Sequence, residues 1–325
     1  MWRLEWLCLK NSLMTFDDLN SLGAKREPFL FIVDFKAQNI IASALCELEA
    51  NDIEFCIDEN YEVKEHADFL EKKRADFRDY KKKFDFVIEK IKAGETYLLN
   101  LTQPSFIKTP LSLKEIFGCA NAHYKLRYKD EFVCFSPEKF IQIEGSKIST
   151  FPMKGTIDAS LPNAKESILA NQKEMAEHVM VVDLLRNDLS IVAKEVRVEK
   201  FRYVHEIEAG AKKLLHVSSH ISGDVGDDWH ERIGDILRLL LPAGSISGAP
   251  KRSTLEIIDA VERYERGFFS GVFGVYDGKT LDSAVMIRFV QKVKDGYLYK
   301  SGGGITLDSD AQSEYNELLD KVYLP

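Results

Sequence analysis

The stretch Asn171-Gln-Lys-Glu-Met-Ala-Glu-His-Val-Met-Val-Val-Asp-Leu-Leu-Arg-Asn-Asp188 organises the chain. Met175, Val179, Val182, Leu185 and Leu189 recur at helical spacing and predict a helix with one buried face. Glu174 and Glu177, three residues apart, then share one side of its first turns. The arrangement recurs near the C-terminus. Ser309 and Gln312 read as a capping box that opens a helix carrying Glu314 and Glu317 at the same spacing. Two helices that each offer a Glu-x-x-Glu edge suit one hard cation between them. Magnesium fits, because it takes few carboxylates and keeps positions for water and substrate. Glutamates at this spacing also describe an ordinary solvated helix face, so the pairs alone do not establish a metal.

Composition narrows the setting. A chain of 325 residues with 45% hydrophobic and 30% charged residues has the make-up of a soluble globular protein with a large core. The net charge of −8 argues against nucleic acid or an anionic membrane as partner, while leaving room for a small anion held by local cations or a metal. The cysteines, Cys8, Cys46, Cys56, Cys119 and Cys134, show no C-x-x-C spacing, as in a reducing cytosol without a zinc site. Residues 1–10 mix Arg3, Glu5 and Lys10 into their apolar positions and lack a signal-peptide core. A cytoplasmic protein is expected.

Along the chain, residues 29–35 and 54–57 read as strands, with 41–50 a short helix or turn between them. A charged run over 71–83 leads into a helix with Phe77, Phe84, Val87, Ile88 and Ile91 at helical spacing and Gly94 as its stop. Strands are expected at 97–101, 132–135, 140–144 and 147–150, the last two joined as a hairpin through Gly145. After the central helix come strands at 197–201 and 216–222, a helix at 229–241, a loop at 244–248 and a helix opened by Pro250 at its first position. Paired strands at 271–276 and 283–290, a strand at 296–300 and a glycine turn at 302–304 complete the pattern. Meandering strands with scattered helices predict an α+β fold rather than a βαβ series. Gly244-Ser-Ile-Ser-Gly-Ala-Pro-Lys251 misses the spacing of a phosphate loop, and Gly302 to Gly304 is not a dinucleotide fingerprint.

Taken as a set, six segments resemble the chorismate-binding enzymes, the family that includes anthranilate, aminodeoxychorismate, isochorismate and salicylate synthases. They are Ser136-Pro-Glu-Lys-Phe140, Pro152-Met-Lys-Gly-Thr156, Glu174 to Asp188, Pro242-Ala-Gly-Ser-Ile-Ser-Gly-Ala-Pro-Lys251, Ala284 to Arg288 and Gly302 to Glu317, in the family's order and spacing. The resemblance implies orthogonally packed antiparallel sheets covered by helices. It also implies a catalytic domain over residues 76–325, with a short N-terminal region, 1–75, packed against it. Glu177 and Glu317 would ligate magnesium, supported by Glu174 and Glu314. Arg288, Ser245, Lys251, Gly303 and Gly304 would bind chorismate. Glu138 would be the general acid for loss of the 4-hydroxyl, and His216 would stand over the substrate ring.

Lys154 selects the branch, because the aminodeoxychorismate-forming members carry lysine where the anthranilate branch carries alanine. The resemblance thus implies amination of chorismate at C4, on the way to 4-aminobenzoate and folate. Anthranilate formation and a non-catalytic chorismate-binding role are the alternatives. Leu98 stands where water-using members carry a lysine and amine-using members a glutamine, which disfavours hydration to isochorismate. Phe269 replaces a tyrosine and removes one hydroxyl. No Leu-Leu-Glu-Ser stretch of the feedback-inhibited kind is present. No Gly-x-Cys-x-Gly elbow is present either, so ammonia is expected from a separate glutamine amidotransferase subunit.

Overall fold

Strand Phe29–Val33 shows how the architecture follows from side-chain alternation. All five of its residues are buried. One sheet face could not bury them all. Phe29, Phe31 and Val33 join an apolar cluster with Trp229 and Leu237, whereas Leu30 and Ile32 join another with Phe273 and Met286. The strand is therefore internal, paired antiparallel with Val272–Tyr276 on one side and Ile40–Ala44 on the other. The computed structural model describes residues 14–57, 71–73, 75–120, 122–209 and 212–324. Cys8 and the reading of residues 1–10 lie outside these. Cys46, Cys56, Cys119 and Cys134 are thiols, not disulfides.

Among the described residues the chain builds two antiparallel sheets, one of nine strands and one of eight, with helices around them, the α+β class read from the sequence. No described helix is long and apolar enough to cross a membrane. Residues 41–50 are expected as helix or turn; 45–50 are so, opening with the 3-10 turn Leu45–Glu47, but 41–44 belong to strand Ile40–Ala44. The cause is the turn before them. The Asp34 carboxylate accepts from the N–H of Gln38 (2.7 Å) and Asn39 (3.0 Å) and from the Asn39 side chain (2.7 Å), which folds the chain back into register.

Helix Phe77–Lys92 starts where Asp76 caps Arg78 and Asp79, and it buries Tyr80, Phe84, Val87 and Ile91. Gly94 follows its end at φ +74. Glu71–Lys73, part of the expected charged helix face, is an exposed strand instead. Residues 229–241 divide into a 3-10 turn, Asp227–Arg232, and the helix Ile233–Leu240. The expected loop at 244–248 contains one helical turn, Gly244–Ser247, and Pro250 caps the helix Lys251–Glu262 rather than lying within it.

At two places the chain departs from the sequence pattern in ways that shape the cavity between the sheets. Residues 283–290 are not one strand. Leu281–Val285 belongs to the first sheet and Phe289–Val293 to the second, and residues 286–288 carry the chain across, with Arg288 at φ 48. Residues 302–304 are not a turn. They lie within strand Gly296–Ile305, with Gly302, Gly303 and Gly304 opposite Thr102, Leu101 and Asn100 of strand Leu98–Lys108. A Cβ at Gly302 would stand 2.6 Å from Thr102 Cγ2 and 2.8 Å from the Leu101 carbonyl oxygen, so close approach of the strands explains the glycine. Gly302→Ala is expected to destabilise the protein by about 1–3 kcal/mol through overpacking. The reading is a lower urea midpoint at unchanged m. A wild-type midpoint would show that the strands part easily there.

Candidate functional site

A cavity of about 510 Å³, a size suited to a small ligand, draws its walls from both sheets. Two of its residues sit on links between the sheets. Glu138 lies in the step from strand Phe132–Ser136 to strand Lys139–Glu144, and Arg288 lies in the crossing at 286–288. Ser136 fixes the first step by accepting the Glu138 N–H at 3.1 Å, and the Val285 N–H donates to the Glu138 carbonyl at 3.2 Å. The Arg288 guanidinium lies over the Tyr323 ring, 5.4 Å from its centroid.

Both glutamate-bearing helices border the cavity, and their starts and buried faces differ from the sequence reading. Helix Gln172–Val192 is capped by Asn171, which accepts the Glu174 N–H at 3.1 Å. Its described buried residues are His178, Val181, Val182, Leu185, Asp188 and Leu189, while Met175 and Val179 of the expected face are exposed. In these first turns Glu174 and Glu177 line the cavity, while Met175 and Val179 do not. Helix Ala311–Asp320 is capped by Asp310, one residue later than the expected Ser309 box. The Ser309 hydroxyl instead donates to Glu314 Oε1 at 2.9 Å. Glu174, Glu177, Glu314 and Glu317 all line the cavity.

Lys154 enters from strand Met153–Asp158, where the pairing with strand Lys212–Asp224 shifts register between Met153 and Thr156. Such an irregularity re-aims a side chain, and Gly155 at φ +94 accommodates it. The Lys154 ammonium lies 3.7 Å from Glu177 Oε2, and about 3.8 Å from where a Cβ on Gly304 would be. Burial pushes the Glu138 carboxyl above its usual range, against the Ser245 hydroxyl bonded to it and the nearby Lys154 and Lys321 charges, which all lower it. Ser245, Gly303 and Gly304 also line the cavity.

Two expected residues do not reach it. His216 lies behind the wall, against Thr156 and Met153, and burial with the His205 and Arg288 charges lowers its pKa to about 4, so it is neutral. The Lys251 ammonium goes to Asp188 Oδ1 at 3.1 Å and to the Leu240 carbonyl at 3.0 Å. Conversely, Lys321 is a site residue that the sequence reading misses. It lines the cavity, pairs with Glu317 at 2.8 Å and donates to the Gly302 carbonyl at 2.9 Å. Its position four residues after Glu317 is the available signal. Asn100 and Ser270, also lining, carry none. Leu98 is buried in the core.

The cavity holds the carboxylates of Glu138, Glu174, Glu177, Glu314 and Glu317 against the cations of Lys154, Arg288 and Lys321. An anionic ligand would face a surplus of negative charge unless a cation joined it. The donor set, all oxygens on two facing helices, has the chemistry of a magnesium site. No three His, Cys, Asp or Glu side chains close into a ready cage among the described residues.

A profile of the family described as chorismate binding enzyme matches residues 13–324. The chain is 47% identical over 313 residues to a Haemophilus influenzae protein named "Uncharacterized PabA-like protein", covering 95% of each. It is 35% identical over 260 residues to the aminodeoxychorismate synthase component 1 of Salmonella typhimurium, covering 75% of this chain and 56% of that protein. This chain thus spans little more than half of that relative. Anthranilate synthase component 1 3 of Haloarcula marismortui is 37% identical over 202 residues, 59% of this chain and 39% of that one. The menaquinone-specific isochorismate synthase of Escherichia coli shares the fold, with a TM-score of 0.70 at 17% identity over 94% of this chain and 79% of its own.

Proposed function

The chain belongs to the chorismate-binding enzyme family, and within it we propose that it is the component that aminates chorismate to 4-amino-4-deoxychorismate. The observation that carries this reading is Lys154 lining one cavity with Glu138, at the motif position where the anthranilate branch has alanine. In this reading Arg288 forks onto the enolpyruvyl carboxylate, and the backbone at Gly303 and Gly304 comes close beside it. Glu138 gives its proton to the 4-hydroxyl, which leaves as water, while the Lys154 amine bonds to ring C2 and the ring double bonds shift. Ammonia then attacks C4 and the C2–N bond breaks, its electron pair returning to the lysine nitrogen. The proton lost from the new amine restores Glu138.

Magnesium held by Glu177 and Glu317, with Glu174 and Glu314 beside them, would supply positive charge for the ring carboxylate. Leu98, buried and apolar, offers no group to activate water and so supports amination over hydration. Cys119 lies in Phe-Gly-Cys-Ala-Asn, not in a nucleophile elbow, so a separate glutamine amidotransferase subunit is the ammonia source in this reading. The product leads toward 4-aminobenzoate and folate.

The test incubates the chain with chorismate, magnesium and an ammonium salt and separates the products. Aminodeoxychorismate is expected, and chelator should stop its formation until magnesium is restored. With glutamine as sole nitrogen source the chain alone should form none. Anthranilate, isochorismate or untouched chorismate would each overturn the proposal, and full activity in excess chelator would overturn the metal.

A further inference from the structure

Ser245 meets Glu138 from the helical turn Gly244–Ser247, and that turn is gripped at both ends by ion pairs outside the cavity lining. At its start the Gly244 N–H donates to the Asp188 carboxylate, which also takes the Lys251 ammonium at 3.1 Å. A Cβ on Gly244 would stand 2.6 Å from Asp188 Oδ2, so the contact needs glycine. Beyond Ser245, Arg266 Nη1 donates to the Ile246 carbonyl at 3.0 Å, and its Nη2 to the Asn100 carbonyl at 2.7 Å. Arg266 is in turn forked onto Glu262 at 2.8 and 2.6 Å, both side chains 2% exposed. Glu262 completes the grip by accepting the Thr102 N–H at 2.9 Å and hydroxyl at 2.7 Å.

Buried ion pairs add little net stability over apolar residues of the same shape, because desolvation offsets their attraction. Here one buried pair, Glu262–Arg266, and one partly buried pair, Asp188–Lys251, sit at one short turn and specify its geometry instead. We propose that Asp188–Lys251 and Glu262–Arg266 are positioning pairs that hold the Ser245 turn against Glu138, and that Lys251 acts through this turn rather than by touching substrate. The inference rests on the reading of Glu138 as proton donor.

The experiment replaces Lys251 with methionine and follows chorismate consumption with magnesium and ammonium, whatever the product. A positioning role predicts a kcat lower by roughly 10- to 100-fold, the scale of a small misplacement, with KM within about twofold. A raised KM at unchanged kcat would instead make Lys251 a substrate contact and overturn the proposal. A second readout needs no turnover: the titration midpoint of the Glu138 carboxyl by ¹³C NMR, assigned with Glu138→Gln. Lys154 and Lys321 are the charged groups facing Glu138 and stay in place. Loss of the Ser245 bond should therefore raise the midpoint in Lys251→Met, as it does in Ser245→Ala. A lower melting temperature with unmoved kcat and midpoint would reduce the pair to a structural strut. Where Lys251→Met does not fold, Arg266→Lys, which keeps the charge and loses the fork, takes the same measurements. Where wild-type protein consumes no chorismate, the proposed function fails, and the midpoint alone still decides the grip.

Discussion

Replacing Lys154 with alanine should cut aminodeoxychorismate formation by roughly two orders of magnitude or more, about 2.7 kcal/mol of barrier at the least. Chorismate binding should persist, since Arg288, Ser245 and the glutamates that line the cavity are untouched. The effect therefore belongs in kcat rather than KM. The geometry favours a direct role. The ammonium sits between Glu177 and the glycine strand, and the register shift at Met153 to Thr156 aims it inward. Wild-type protein held with chorismate and magnesium but no ammonia should accumulate an adduct on the peptide containing Lys154, detectable by mass spectrometry. Gly304→Ala offers a milder probe, because its Cβ would meet Leu98 Cδ1 at 3.1 Å and lie 3.8 Å from the Lys154 nitrogen. Lys154→Ala protein working at the wild-type rate would end the covalent route.

What can be read from the sequence is set by how local the cause is. Helix Gln172–Val192 has its cap, its spacing and its paired glutamates within one stretch, so both it and its carboxylates are legible. The buried face differs at Met175 and Val179, which are exposed and do not line the cavity, because spacing alone does not say how far along a helix its packing neighbours extend. Arg288 is legible as a residue and not as a position: nothing in Met-Ile-Arg-Phe announces that the chain changes sheets there. The glycines at 302–304 read as a turn, because glycine demanded by a neighbouring strand looks the same in sequence as glycine demanded by backbone dihedrals. Lys251 and Arg266 show the opposite limit. Their partners Asp188, Ile246 and Asn100 are brought to them only by the tertiary fold.

Glu138→Gln should lower chorismate consumption on the order of 10²–10⁴-fold, the span of general acid catalysis. It should also change how stability depends on pH, in a direction that identifies the group. Burial raises the folded-state pKa of Glu138 above the ordinary 4.5, the Ser245 hydroxyl and the Lys154 and Lys321 charges offsetting only part of it. Between the unfolded and the folded value the native state binds more protons than the unfolded one, so stability falls as pH rises. The contribution is complete below the unfolded pKa and is lost as pH passes through the folded value. Glutamine has no proton to lose. Above that pH the variant should therefore be as stable as wild type or more so, although it is nearly inactive, and its stability should decline less with rising pH. Urea midpoints for both proteins at acidic and at mildly alkaline pH measure this, beside the pH profile of kcat/KM. In wild type the rate should fall as pH rises through the same raised value, because only the protonated carboxyl can release the hydroxyl as water. An equal pH-dependent loss of stability in both proteins would show that Glu138 is not the group burial keeps protonated, and another proton donor would then be required.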